Sequence, residues 1–249
     1  MTSPWNAYND LAWTEDWFVD PADYENEVTT YVELIQRYAA TPPQTLLHLG
    51  SGAGGMDHVL KPHFAITGVD LSAGMLAKAR HTHPDLEYLE GDMRTLRLER
   101  RFDAVIIPDS IDYMATLDDL RQALATAVAH LKPGGVLLIV GKPQEQFQNN
   151  NFAYTGDRQG IHITLLENNY INPHRPNTYE ATLIYLIRQG GELTMHHDRH
   201  ILGLFSQATW EQVFREAGLT LYQHTLDGVY DPYLLAEGSY PQTVFVGVN

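Results

Sequence analysis

Leu46-Leu47-His48-Leu49-Gly50-Ser51-Gly52-Ala53-Gly54 is an apolar run that breaks into glycine, and sixteen residues past Gly54 a second run, Ile66-Thr67-Gly68-Val69, ends in Asp70. These residue types at this spacing suit the capture of a nucleoside. Glycines let a ligand approach the backbone at the carboxyl edge of a parallel sheet, and an acid at the tip of the neighbouring strand can accept two hydrogen bonds from a ribose diol. An adenosine-containing cofactor is therefore expected. Gly50, Gly52 and Gly55 also satisfy G-x-G-x-x-G, with Asp70 near the distance of about 20 residues of a dinucleotide fingerprint. Taken alone, the glycines and Asp70 leave a nicotinamide-dependent oxidoreductase open.

Three further segments follow: Glu90-Gly91-Asp92-Met93, then Phe102-Asp103-Ala104-Val105-Ile106-Ile107-Pro108-Asp109, then Leu131-Lys132-Pro133-Gly134-Gly135-Val136-Leu137-Leu138. In this order and at this spacing the chain resembles the class I S-adenosylmethionine-dependent methyltransferases. The resemblance implies an α/β fold, a Rossmann-like seven-stranded methyltransferase sheet with helices on both faces. It implies transfer of a methyl group from S-adenosyl-L-methionine to a nitrogen or oxygen of a small metabolite by in-line displacement, leaving S-adenosyl-L-homocysteine. It also implies roles for residues. The loop of Gly50, Ser51, Gly52 and Gly54 would lie along the methionine part of the cofactor and Asp70 would take the ribose. Asp92 would accept from the adenine amino group while the Met93 N–H faces a ring nitrogen, and Leu71 and Pro108 complete the expected cofactor contacts. One position departs from the pattern: His48 stands where most relatives carry an acid that helps hold the methionine ammonium. A neutral imidazole does this more weakly, so His48 is read either as a substitute acceptor, through water, or as a plain strand residue. It is also the one hint of a non-catalytic adenosine-cofactor-binding protein.

Each assignment has a structural alternative. The glycines could serve tight strand-to-helix packing, Asp70 could cap the turn before Ser72, and Asp92 could form an Asx-turn after Gly91. Residues 91–114 and the stretch Met195-His196-His197-Asp198-Arg199-His200-Ile201-Leu202-Gly203-Leu204-Phe205 resemble the small-molecule branch of the family, including aminosugar N,N-dimethyltransferases. Those enzymes have a histidine where Tyr113 stands, so Tyr113 reads as a catalytic group on the acceptor side or as a packing aromatic. His200 is the other catalytic candidate, facing the acceptor pocket. Strand alternation puts His196, Asp198 and His200 on one face and His197 on the other, and no metal site is expected. Tyr8, Trp13 and Trp17 would fold over the cofactor, as the resemblance implies, or belong to a tail or a core.

The elements that must position these residues can be read from periodicity. Asp20-Pro21 looks like an N-cap and first helical position, and Tyr24, Val28, Tyr31, Ile35 and Tyr38 then recur at helical spacing. Further helices are expected after the caps Ser72 and Thr116, the latter carrying a stripe of Leu117, Leu120, Leu124, Val128 and Leu131. Strands alternating with helices imply right-handed crossovers and a parallel sheet. After Pro143 the pattern changes to three β-like runs, 161–171, 178–188 and 193–204, an antiparallel meander. The polar tract 144–151 is expected to be a mobile loop. Helical spacing returns at Trp210, Val213, Phe214 and Ala217, before a last strand at 243–248. The expected organisation is one methyltransferase domain over 1–249: a cofactor-binding half, 20–143, a β insertion covering the acceptor, 144–204, and a completing segment, 205–249.

Composition bounds the partners. A formal net charge of −15, from 16 basic and 31 acidic residues, disfavours nucleic-acid and anionic-membrane partners. Arg97, Arg100 and Arg101 form a small basic cluster that reads as a solvated helix end or loop. The chain has no cysteine, hence no disulfide, thiolate nucleophile or cysteine-bound metal. Without a basic-then-apolar leader or an apolar run of membrane length, a soluble cytoplasmic protein acting on a small-molecule methyl acceptor is expected, and a homodimer is left open.

Overall fold

The computed structural model describes residues 5–18 and 24–249. The N-cap expected at Asp20, with Pro21, lies outside them. The first helix, α1, runs over Glu25–Tyr38 and buries Val28, Tyr31, Val32 and Ile35 on one face. The alternation then begins with β1 (Thr45–Leu49), α2 (Asp57–Leu60), β2 (Ala65–Asp70), α3 (Ala73–Thr82) and β3 (Glu87–Glu90). It continues through β4 (Phe102–Ile107), α4 (Leu117–Ala129) and β5 (Leu131–Gly141). The N-caps form as the sequence predicts: Ser72 Oγ accepts from the Met75 N–H, and Thr116 Oγ1 from the Asp119 N–H.

Strands β10 (Thr220–Leu226) and β11 (Gln242–Val248) complete a seven-stranded sheet in the order β10-β11-β5-β4-β1-β2-β3, with α5 (Gln207–Glu216) packed on it. β1 to β5 are parallel, whereas β11 enters antiparallel beside β5. The central strands are apolar on both faces because helices cover both. Leu47, Val105, Leu137 and Phe245 pack toward α4 and α5, and Leu46, Ile106, Leu138 and Val244 pack toward α1. One detail differs from expectation: α4 ends at Ala129, so Leu131 belongs to β5 and not to the helical stripe. The seam between helix and strand is the single residue His130, whose Nδ1 bonds the Thr126 carbonyl.

The remaining strands form a separate antiparallel sheet, β6 (Asn150–Arg158), β7 (Ile161–Tyr170), β8 (Thr178–Gln189) and β9 (Glu192–Gly203), in sequential order. It has four strands, not the three the sequence predicts. The tract expected to be a mobile loop holds a 3-10 turn at Gln144–Gln146 and then enters β6, where Asn151 already pairs with Asn168. The register sets cross-strand rows: Asn169–Ala181–His200 and Phe152–Glu167–Leu183–Asp198. With side chains alternating between faces, each row faces one way, and these two face the first sheet's carboxyl edge across a cavity. No described helix is long and apolar enough to cross a membrane.

Candidate active site

A cavity of about 1010 Å³ lies between the carboxyl edge of the first sheet and the inner face of the second. At its first end β1 runs into Gly50, and the amides of Gly50 and Ser51 both donate to the Val69 carbonyl, at 2.7 and 3.0 Å, locking the turn to β2. Gly50 has φ +73°, and a Cβ there would strike Ser110. Gly52 also has positive φ, +53°, but a Cβ there would meet no heavy atom within 4 Å, because it faces open cavity. Asp70 at the tip of β2 binds this loop: Oδ2 accepts from the Gly52 N–H and Oδ1 from the Ser72 N–H, each at 2.8 Å. The turn-capping contact and the place at the cavity therefore coexist. Burial pushes the Asp70 carboxyl above its ordinary range despite these amides. Ser51 Oγ is buried at the cavity with no hydrogen-bond partner. An unpartnered hydroxyl beside an open glycine face fits a polar ligand laid along the loop. Gly54 is not at the cavity; a Cβ there would lie 2.6 Å from the Tyr88 hydroxyl.

His48 lines the cavity and has a partner that the sequence pattern did not indicate. Its Nδ1 lies 2.7 Å from Asp57 Oδ1, and Asp57 Oδ2 accepts from the Tyr88 hydroxyl at 2.7 Å. His48 and Asp57 are both buried. Burial opposes the Asp57 charge, but the His48 imidazole and the two hydrogen bonds outweigh it and hold the carboxyl below its usual range. An acid thus stands beside the imidazole from α2, nine positions on, but it lies behind His48, fully buried, and does not line the cavity. Asp57 was legible only as a polar residue in a weakly apolar stretch.

Asp92, Met93, Leu71 and Pro108 also line the cavity. Asp92 is engaged by Arg94, whose Nε lies 3.0 and 3.1 Å from its two oxygens and whose backbone N–H donates to Oδ1 at 2.9 Å. Arg94 Nη1 reaches Asp119 Oδ1 on α4 at 2.9 Å. The guanidinium holds Asp92 below the usual carboxylate range. An Asx-type turn and a cavity position are again compatible.

At the other end Tyr113, in the 3-10 turn Ser110–Tyr113 after β4, meets His200 on β9, with the Tyr113 hydroxyl 2.7 Å from Nδ1. His200 Nε2 lies 3.2 Å from Asp198 Oδ2, which also accepts from the Ala7 N–H at 2.9 Å. Nε2 is near the carboxylate but makes no hydrogen bond to it, so Asp198 acts on the ring as a neighbouring charge, while Nδ1 can accept from the Tyr113 hydroxyl. Burial lowers the His200 pKa, opposed by Asp198, so the imidazole is held neutral. The Tyr8 and Tyr113 hydroxyls bond each other, and the Trp5 ring lies 4.5 Å from that of Tyr113. Of the aromatics in residues 5–18, Trp5, Tyr8 and Phe18 line the cavity. Trp13 is exposed and stacks edge-on against Trp17, whose Nε1 donates to the Ile161 carbonyl at 3.0 Å. His196 and His197 are exposed, and no group of described His, Asp and Glu residues could hold a metal ion.

Sequence reasoning did not single out Lys142, Glu167, Tyr179 or Tyr230, all of which line the same cavity. A signal existed for Glu167: it shares the inward parity of Ile163 and Leu165 on β7, so a charge sits on a buried face. Asp109 carries another signal, since it is a non-glycine residue at φ +49°, held there with its carboxylate accepting from the Tyr230 hydroxyl at 2.7 Å.

Comparisons with known proteins follow the same lines. A family described as "Methyltransferase domain" matches residues 46–135. The dTDP-3-amino-3,4,6-trideoxy-alpha-D-glucopyranose N,N-dimethyltransferase of Streptomyces venezuelae is 30% identical over 203 residues, covering 79% of this chain and 84% of that protein. The crystal structure of DesVI from Streptomyces venezuelae superposes with a TM-score of 0.77 at 28% identity, covering 91% of this chain and 92% of that one. CalS10 from Micromonospora echinaspora, an amino pentose methyltransferase solved with bound S-adenosylmethionine, has the same fold, with a TM-score of 0.74 at 23% identity over 90% and 91% of the two chains.

Proposed function

Because the chain belongs to the class I S-adenosylmethionine-dependent methyltransferases, in the small-molecule branch with the aminosugar N,N-dimethyltransferases, we propose that it methylates an unprotonated amine on a small metabolite. The observation that carries this reading is the single cavity that joins the Gly52–Asp70 loop to the Tyr113–His200–Asp198 chain. When bound, S-adenosylmethionine supplies an electrophilic methyl on a positively charged sulfur. Gly50, Ser51 and Gly52 would border its methionine part, Asp70 its ribose, and Leu71, Asp92 and Met93 its adenine, with Pro108 at the edge of β4. His48, bonded at Nδ1 to Asp57, would contribute its ring edge to the cavity wall. We assign residues 1–249 to one domain, with 144–204 forming the acceptor cover.

The chain's own part in the reaction is mainly to position, align and exclude water, effects that can together supply about 7–11 kcal/mol. At the acceptor end, the Tyr8 and Tyr113 hydroxyls and the His200 imidazole form a hydrogen-bonded cluster that can orient the acceptor. Burial raises the Tyr113 pKa well above its ordinary value and lowers that of His200, so the phenol keeps its proton and the cluster positions rather than deprotonates. An amine can shed its proton after attack and needs no base at this point. An alcohol or phenol must shed it during attack, which a cluster that keeps its own proton does not assist, so these residues favour the amine.

Calorimetry with S-adenosylhomocysteine and, separately, NAD tests the cofactor, and NAD as the tighter ligand would overturn the reading. Mass spectrometry of a panel of amines and phenols incubated with S-adenosylmethionine tests turnover. Tyr113→Phe and His200→Ala are expected to leave S-adenosylhomocysteine affinity within about threefold, under 1 kcal/mol, while at least one lowers kcat/KM. Normal turnover by both would place the acceptor elsewhere.

A further inference from the structure

The far end of the cavity has a charge balance that bears on which acceptor it can hold. Among the described residues lining the whole cavity, acidic side chains outnumber lysine and arginine by six to two, and at this end Asp109, Asp112 and Glu167 stand with Lys142. The two cations sit among acids rather than facing open cavity as a pair. Arg94 is forked onto Asp92 and bonded to Asp119. Lys142 sits over the Tyr240 ring, 2.9 Å from its centroid, in the field of Asp112 and Asp109. A diphosphate entering here would meet a cluster of acids and, among the described lining residues, a single lysine already in the field of two of them.

The acids there have neutral partners that leave oxygen lone pairs to spare. Asp109 Oδ2 accepts from Tyr230 at 2.7 Å, Asp112 Oδ2 from Tyr179 at 2.9 Å, and Glu167 Oε1 from Asn169 Nδ2 at 2.8 Å. A carboxylate offers about four lone-pair sites, so each retains acceptor capacity. A second observation points to a ligand. Asn169 is 2% exposed and lines the cavity, yet its Oδ1 has no hydrogen-bond partner. Burial lifts the carboxyls of Asp109, Asp112 and Glu167 above their ordinary values, a penalty that a neighbouring cation would relieve. Aromatic walls, Tyr154 among them, border the same space.

Building on the methyltransferase reading, we propose that the acceptor is a small molecule without a nucleoside diphosphate, bearing an ammonium group seated among Asp109, Asp112, Glu167 and the orphan amide oxygen of Asn169, separate from the atom that is methylated. The separation follows from chemistry. Carboxylates hold an amine in its protonated form, whereas the reacting nitrogen must keep its lone pair. The acceptor therefore has two polar centres, one charged and one nucleophilic.

Choline is the probe of charge, because its cation is fixed at every pH and its nitrogen has no lone pair to react. Ethanolamine, whose ammonium can also donate to the Asn169 amide oxygen, is titrated beside it and is expected to bind at least as tightly. The neutral shape-mate of choline is 3,3-dimethylbutan-1-ol, and thymidine diphosphate is the phosphorylated competitor. Each is titrated calorimetrically into the full-length protein, with and without S-adenosylhomocysteine. Choline is expected to bind at least about tenfold more tightly than the alcohol, about 1.4 kcal/mol, and more tightly than thymidine diphosphate. Asp112→Asn and Glu167→Gln, which preserve shape, are each expected to erase most of that preference while S-adenosylhomocysteine affinity stays within about threefold. Equal binding of choline and the alcohol, tighter binding of thymidine diphosphate, or a preference that survives both substitutions would overturn the proposal. Failure of S-adenosylhomocysteine to bind would overturn the methyltransferase reading instead, and the choline comparison made without it would still decide the pocket.

Discussion

His48 leads into the glycine turn, and its contact with Asp57 reverses the expected effect of restoring the acid that relatives carry there. From the sequence pattern alone, His48→Asp should preserve or tighten cofactor binding. In the structure the new carboxylate would face Asp57 in a buried site where the imidazole now sits 2.7 Å away. Removing one partner of a buried pair costs about 3–5 kcal/mol, so His48→Asp is expected to unfold at markedly lower denaturant than the native chain, while His48→Asp with Asp57→Asn recovers part of the loss. A variant as stable as the native protein would deny the pair its role. Asp112 carries a pH prediction. Burial is the chief cause that raises its pKa from 3.8 to about 8, so the folded protein keeps a proton that the unfolded chain releases. Its stabilising contribution is therefore full below about pH 4 and is lost as pH rises through about 8. Asp112→Asn removes that dependence, and its Tm relative to the native chain should climb between about pH 5 and pH 8. A constant difference across that range would count against a buried, proton-holding acid. At this scale the cofactor-side residues were legible because glycines and an acid at a strand tip form a local pattern. Asp57 was not, because its meaning comes from His48 and Tyr88, nine and thirty-one positions away.

The elements were legible where caps and apolar spacing agree with burial. Ser72 and Thr116 cap the helices they should, and the parallel strands are apolar on both faces. β6 escaped notice for a physical reason. Its centre contains Gly156, which reads as a turn residue, but a Cβ there would collide with the Trp17 carbonyl, so the glycine admits a close approach by the N-terminal segment. β10 escaped because it is an edge strand with only Leu226 buried, leaving little apolar alternation to detect. The contact between the N-terminal segment and the second sheet can be probed directly. Trp17→Phe removes the donor to the Ile161 carbonyl, an expected cost of about 1 kcal/mol. Hydrogen exchange should quicken over residues 5–18 and the start of β7 while β1, β4 and β5 are unaffected. Uniform exchange with the native protein would mean that this bond does not hold the segment down.

Across the whole molecule, a net charge of −15 repels itself when the chain is compact. Salt shortens the Debye length from about 30 Å at 0.01 M to about 8 Å at 0.15 M, so Tm should rise over that range with sodium chloride. A flat or falling response would indicate that local pairs such as Arg94 with Asp92 and Asp119 outweigh the bulk repulsion. The segment at residues 5–18 has one further consequence. It is anchored by Ala7 to Asp198, by Trp17 to Ile161 and by Lys78 to the Ala12 carbonyl, and the first of these bonds spans 191 positions. At about 5–20 residues per second of synthesis, that separation is a wait of about 10–40 s on the ribosome. The first residues made are therefore among the last to find their place, and a nascent chain halted before β9 would carry its glycine loop and Asp70 while the wall formed by Trp5 and Tyr8 still lacked the strand that fastens it.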